Sequence, residues 1–351
     1  MITFSIRKRN NNYGENLNSI DILNKIKKLA EEEDEKARKV DAILSLVAED
    51  IYYGNSDLEF LEINNAINPH IACAVDGSKY QLDVGDFSLI IARAVKVKGI
   101  SGEKGKRIPP DIKEDVKLED NYYGEDKVGK DAILLMLTLE TEILSSCSDC
   151  DVIFIDGPII DPPTYDDNDE DLKKFHEVRK LAISTNDKII GIVKRFAQRF
   201  LINKLINDGY AQLIEARESY IVQNLFYKLR QKFKDYKNPR FLGWISWDSI
   251  FSSNYTADLT ALGKAYMKYN IKLYSGYFQQ NAISPVARID VLSPDNNILA
   301  YIATWSYPGI NEVTILNKLA DDISNVSKAE AEAYLNLLIS ARKILPMMRK
   351  A

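Results

Sequence analysis

His70-Ile-Ala-Cys-Ala-Val-Asp76-Gly77-Ser78 is an apolar run that meets an acid, a glycine and a hydroxyl in succession. A short apolar run bounded by turn residues reads as a buried strand, and Asp-Gly reads as the turn that ends it. Asp151-Val-Ile-Phe-Ile-Asp156-Gly157-Pro158 repeats the pattern further along. Phe87 to Val97 and Lys188 to Val193 supply two more β-rich runs, while Asp131 to Leu144 and Leu172 to Asn186 read as helices. Strands alternating with helices give an α/β class with a mixed sheet.

Outward from that core, Ser19 to Tyr52 carries apolar residues at three- and four-residue steps, so it reads as one long amphipathic helix or two in succession. Such a helix packs on its own domain or serves as an arm in dimerisation. Lys98 to Lys130 is polar, with Pro109-Pro110 and several glycines, and reads as a long loop. Phe241 to Trp247, Ile271 to Phe278, Val286 to Leu292 and Ile298 to Trp305 read as strands. Ser327-Lys-Ala-Glu330 is a capping box opening a last helix that runs through Leu345. The expected division is a helical arm over 1–68 and the main domain with its C-terminal helix over 69–351.

The chain of 351 residues has 46 Lys+Arg against 51 Asp+Glu and is 46% hydrophobic, which excludes a disordered or fibrous class. Its net charge of −5 gives no global attraction to a polyanion, so nucleic-acid contact requires local basic patches. The three cysteines are too few for a disulfide scaffold, and no apolar run suits a signal peptide or a membrane span. The expectation is a cytoplasmic protein without membrane contact. Cys147-Ser-Asp-Cys150 lacks a second ligand pair, since His70 and His176 are the only histidines, and reads as two ordinary thiols more readily than as a zinc or redox site. Asp161 to Asp171 holds six acids and no base and reads as a solvated loop.

Chemistry concentrates on the two Asp-Gly junctions. Carboxylates at strand ends of an open sheet sit where such sheets place their sites, and a third from an intervening helix completes an oxygen cage suited to Mg²⁺ or Mn²⁺. Glu140 or Glu142 is the natural third, because an acid in the apolar helix ending Thr-Leu139-Glu140 needs a partner. The bland reading is two common turns and a wet glutamate. The Asp/Glu/Asp order suits metal-dependent phosphodiester hydrolysis on a ribonuclease-H-like sheet.

Ala74-Val75-Asp76-Gly77-Ser78, Leu139-Glu140, Phe154-Ile155-Asp156-Gly157, Gly191-Ile192-Val193-Lys194-Arg195 and Ser306-Tyr307-Pro308 together resemble, in order and character, the NurA nucleases that process DNA ends. The resemblance implies a ribonuclease-H-like mixed sheet flanked by helices. It also implies Mn²⁺-dependent (or Mg²⁺-dependent) 5′-to-3′ exonuclease and single-strand endonuclease action, a homodimer and a hexameric HerA-type ATPase partner. Carried over by position, Asp76, Glu140 and Asp156 are metal ligands and catalytic, Lys194 serves the scissile phosphate, and Tyr307 positions phosphate or water. The family motif continues from Tyr-Pro to a His, and this chain has none there; Asn317 takes its place after two inserted residues, and Pro158 stands where the family prefers Ser. A non-catalytic, DNA-guiding subunit docked on the ATPase is therefore the alternative. For DNA contact, Tyr227 to Arg240 has six bases against one acid, with Lys228, Arg230, Lys232 and Lys234 as the named candidates, and Lys96 to Arg107 has five against one. A solvated face is the plain reading of both stretches.

Overall fold

The computed structural model describes residues 19–66, 68–102, 108–120, 125–166, 168–252, 260–307 and 312–342. Part of the second basic stretch (103–107), the start of the segment after Tyr307 (308–311) and the end of the last helix (343–345) lie outside them. Strands among the described residues are β1 (Glu59–Glu62), β2 (Ile71–Val84), β3 (Phe87–Ile100), β4 (Asp111–Asp120), β5 (Val152–Asp156), β6 (Ile189–Val193), β7 (Arg240–Ser246), β8 (Tyr274–Gln279) and β9 (Ala287–Val291). They form one sheet in the order β1-β7-β8-β9-β6-β5-β2-β3-β4. β2 runs parallel to β5 and β5 to β6; the other ladders are antiparallel.

The α-helices among the described residues are α1 (Ser19–Tyr53), α2 (Glu125–Leu144), α3 (Glu170–Ser184), α4 (Phe200–Asn207), α5 (Glu218–Phe233), α6 (Trp247–Phe251), α7 (Thr260–Tyr269), α8 (Asn296–Trp305), α9 (Ile315–Ser324) and α10 (Lys328–Arg342). Side chains alternate across a strand, so each strand feeds two cores. Cys73, Val75, Ile153 and Ile155 pack on one face against Leu139 and Ile143 of α2, Leu201 of α4 and Phe226 of α5. Ala72, Ala74, Phe154 and Ile192 pack on the other against Leu299 and Ile302 of α8 and Leu316 and Ala320 of α9. Only the end of α1 joins the first core, through Leu44, Val47, Ala48 and Ile51, while Ile22, Leu23, Ile26 and Leu29 stay exposed.

Four expectations are corrected by the structure. β2 does not stop at Asp76-Gly77; it continues to Val84 and turns into β3 at Gly85, whose φ of +60° suits glycine. The polar stretch after Lys98 contains β4, an edge strand whose pairing with β3 is satisfied by backbone bonds even though its side chains are mostly exposed. Ile298 to Trp305 lies in a helix, because Asp295 caps it by accepting from Asn297 N at 2.8 Å and Leu299, Ile302 and Ala303 recur at helical steps. Helices α6, α7 and α9 were not expected at all.

Cys73 meets both thiols of the Cys147/Cys150 pair, and those contacts together with burial push it up from the usual thiol range. His70 and His176 are held inside the fold, by Trp305 Nε1 at 2.8 Å and the Tyr269 hydroxyl at 2.9 Å. Among the described residues, no helix is long and apolar enough to cross a membrane.

Candidate metal centre

The register of the parallel pair builds the centre. Ala72 stands beside Val152 and Ala74 beside Phe154, so two residues further on each strand Asp76 comes beside Asp156, both on the face that packs against α9. Lys194 follows Ile192 by two and shares that face. α9 crosses it with Leu316 and Ala320 turned into the core, and one step round the helix brings Asp321 to the same point. Carboxylate oxygens of Asp76, Asp156 and Asp321 all lie within 4.8 Å of one another. Ser324, on the same helix, donates from Oγ to Asp76 Oδ2 at 3.1 Å. Ser78 ties α9 down from below: its hydroxyl donates to the Ser324 carbonyl and accepts from Val326 N at 3.1 Å. The Gly-Ser that follows Asp76 thus holds the helix, rather than turning the chain.

Three carboxylates this close raise one another's cost of ionisation. Asp76 is 6% exposed, and burial, followed by the charge of Asp156, pushes it up to about 7 against the hydrogen bond from Ser324. Burial also raises Asp156, with Lys194 opposing. Lys194 Nζ sits 2.5 Å from Asp156 Oδ2 and 2.9 Å from Glu312. Burial disfavours its charge, but those two acids outweigh that and push it up to about 12. Asp161, from the acidic loop, also turns toward this region; burial lifts it to about 6, with Arg179 opposing.

Of the two glutamates weighed for the third position, Glu142 is exposed and accepts from Lys113 at 2.7 Å. Glu140 is 7% exposed, and burial holds its carboxyl well above the usual range, with Arg179 opposing. It approaches from α2, on the other side of the sheet, and its Oε1 fills the space a Cβ at Gly77 would need, at 2.5 Å. Glycine at 77 is what lets the glutamate reach the strand beside Asp76. Tyr307 is 62% exposed and lines a small cavity with Lys194, Gln280, Ser284 and Glu312. Asn317 is fully buried; its Oδ1 accepts from Thr314 Oγ1 at 2.6 Å, so its amide oxygen serves the start of α9.

The basic stretch in and after α5 is divided. Arg230 is 1% exposed and faces the protein interior, donating to Gln279 Oε1 at 2.6 Å, to the carbonyls of Asp235 and Asn238 at 3.0 and 3.1 Å, and to that of Gln279 at 3.1 Å. Its donors are committed within the chain, and it presents no charge to a phosphate outside. Lys228 pairs with Asp41 at 2.7 Å and Lys232 with Glu49 at 3.0 Å, both on α1. Lys234 is exposed at the end of α5. Asp321 went unnoticed in the sequence; the available signal was Thr314-x-x-Asn317 opening a helix that carries an acid one turn later.

Fold and site together define the class: an α/β protein whose mixed sheet carries a carboxylate centre of the kind that holds a hard divalent cation. The NurA domain model matches residues 70–326, and the chain belongs to the NurA nuclease family. The NurA nuclease from Sulfolobus solfataricus superposes with a TM-score of 0.55 at 14% identity, covering 90% of this chain and 96% of that one. A second NurA crystal structure gives 0.57 at 11% identity, covering 92% and 97%. A NurA bound to dAMP and manganese gives 0.48 at 14% identity, covering 92% and 97%. No curated protein matches the chain.

Proposed function

We propose that this chain is a metal-dependent DNA nuclease in which Asp76, Asp156 and Glu140 serve a Mn²⁺ or Mg²⁺ ion. The observation that carries the reading is the convergence of two strand carboxylates and Lys194 on one face of the sheet, with Asp76 displaced to about 7 by its surroundings. The donors fit such an ion: they are carboxylate oxygens, and those of Asp76 and Asp156 come within 4.8 Å of each other. When bound, the ion supplies a more acidic attacking water and charge compensation for the leaving oxygen.

The chain's own residues do the rest. Asp76 and Asp156 are fixed by strand register and do not have to reorganise. Lys194 presents its ammonium at the rim of the same pair, where negative charge grows on the phosphate. Tyr307, exposed beside Lys194, offers its hydroxyl to the phosphate or the water. Lys194→Ala should slow cleavage about 100-fold with the fold intact, measured as single-turnover rate on labelled DNA; an unchanged rate would remove Lys194 from the site.

The ribonuclease-H-like description draws support from the run β4-β3-β2-β5-β6, an antiparallel meander followed by two strands parallel to its first. DNA ends as substrate, 5′-to-3′ exonuclease with single-strand endonuclease action, a HerA-type ATPase partner and a cytoplasmic setting belong to the same proposal and rest on the family. The exposed apolar residues Ile22, Ile26 and Leu29 of α1 support a homodimer through that arm. Within the basic stretch, exposed Lys234 is the best placed for DNA, with Lys228 and Lys232 beside it already paired to acids.

The reading is tested by incubating the chain with labelled single- and double-stranded DNA. Cleavage is expected with Mn²⁺ or Mg²⁺ and none with EDTA. DNA binding without cleavage under every metal condition would instead support the non-catalytic, DNA-guiding subunit.

A further inference from the structure

We infer that Asp321 of α9 is a direct ligand of the metal ion, so that the ion is gripped between the sheet and α9. This rests on the metal-dependent reading above. Asp76 and Asp156 point to the α9 face by strand parity, and Asp321 is the acid that meets them there, within 4.8 Å. Asp321 has no ion-pair partner among the described residues, whereas its neighbour Asp322 is paired with Lys318. The helix is not free to carry Asp321 away: Leu316 and Ala320 are buried in the core below it, and Ser324 is bonded to both Asp76 and Ser78.

A second observation points to a cation at the same place. Glu140, more than nine-tenths buried, makes no hydrogen bond or ion pair among the described residues. Its carboxylate stands against Gly77, the residue after Asp76, from the opposite side of the strand. Burying an acid is expensive even with the charge of Arg179 opposing, and the carboxylates of Asp161, Asp76 and Asp156 add to that cost. A divalent cation held by the three aspartates relieves both. Oxygen donors from two strands and α9 make the site one for hard ions such as Mn²⁺ and Mg²⁺. The ion then also links α9 to the sheet, which a ligand from α2 would not do.

The test is Mn²⁺ binding, followed by calorimetry and by loss of the free-ion electron paramagnetic signal, on the full chain without DNA. Asp321→Asn should weaken binding by more than about 10-fold, the least that loss of even an outer-shell partner of a ligand brings, while Asp322→Asn, one residue along the same helix, should change it less than about twofold, as an exposed charge already paired does. Equal, small effects of the two substitutions would overturn the direct role of Asp321. Asp76→Asn separates this from the underlying reading: if that variant binds Mn²⁺ like the wild type, the metal centre itself is refuted. If it loses binding while Asp321→Asn keeps it, only the role of Asp321 fails. Circular dichroism of each variant verifies that the chain is still folded.

Discussion

Asp76→Asn is expected to eliminate metal-dependent DNA cleavage, by about 1,000-fold or more, and at the same time to stabilise the metal-free chain above pH 7. Both effects come from one geometry. Asp76 lies in the middle of β2, 6% exposed, beside Asp156 and Asp321, with its carboxyl lifted from 3.8 to about 7. Below the unfolded value both states hold the proton and there is no penalty. As pH rises from there, the unfolded chain releases its proton first, so stability falls, and the full cost is present once the folded carboxyl ionises near 7. That cost is about 4 kcal/mol. Asparagine has no charge to bury and still accepts the hydrogen bond from Ser324. Thermal melts at pH 5 and pH 8 should therefore show wild type losing stability between them by more than the variant does. Mn²⁺ should raise the wild-type melting temperature at pH 8 and leave that of Asp76→Asn unmoved. A variant that cleaves normally, or one whose melt still responds to Mn²⁺, sinks the assignment.

Arg230→Ala is expected to cost about 3 kcal/mol or more of stability, because it strands three backbone carbonyls and the Gln279 side chain without their donor in the interior. Burial has already drawn the guanidinium down to about 10, the mark of a cation held by structure rather than by solvent. The urea midpoint should fall, whereas the dependence of DNA affinity on salt should not change under conditions where the variant remains folded. Lys234→Gln should do the reverse. Stability stays within about 0.5 kcal/mol, and the slope of log affinity against log salt becomes shallower by about one. A shallower slope for Arg230→Ala would show that the side chain reaches the nucleic acid after all.

The two substitutions show where reading along the chain succeeds and where it stops. A count of bases between Tyr227 and Arg240 treats Arg230 and Lys234 as equivalent, and only the helix phase distinguishes them. Leu225, Phe226 and Leu229 bury one side of α5, and Arg230 follows them inward, while Lys234 falls at the exposed end. That phase was available in principle. What absorbs Arg230 was not, because Gln279 lies in β8 and becomes its partner only after the sheet has assembled.

The apolar runs at Ile71 to Val75 and Val152 to Ile155 determined two buried strands, and a period of two then set Asp76 and Asp156 on a common face once the strands were paired in parallel. These are local properties, written within a few residues of each acid. The apolar run from Asp131 to Leu144 likewise read as a helix, the C-terminal part of α2, but whether Glu140 lay inside or on its wet side was decided by the packing that buries it. Tertiary structure decided everything that depends on distant segments meeting. Gly77 looked like a turn and serves instead as the gap that admits Glu140, because β2 runs on to Val84 in partnership with β3. Ser324 and Asp321 reach Asp76 from 248 and 245 positions away along the chain, on a helix whose own sequence announces a cap and an apolar stripe but no destination. Local periodicity specifies which way a side chain faces; which residue it faces is settled by packing, since burial of Leu316 and Ala320 against β2 and its neighbours is what docks α9 and brings its acid to the other two.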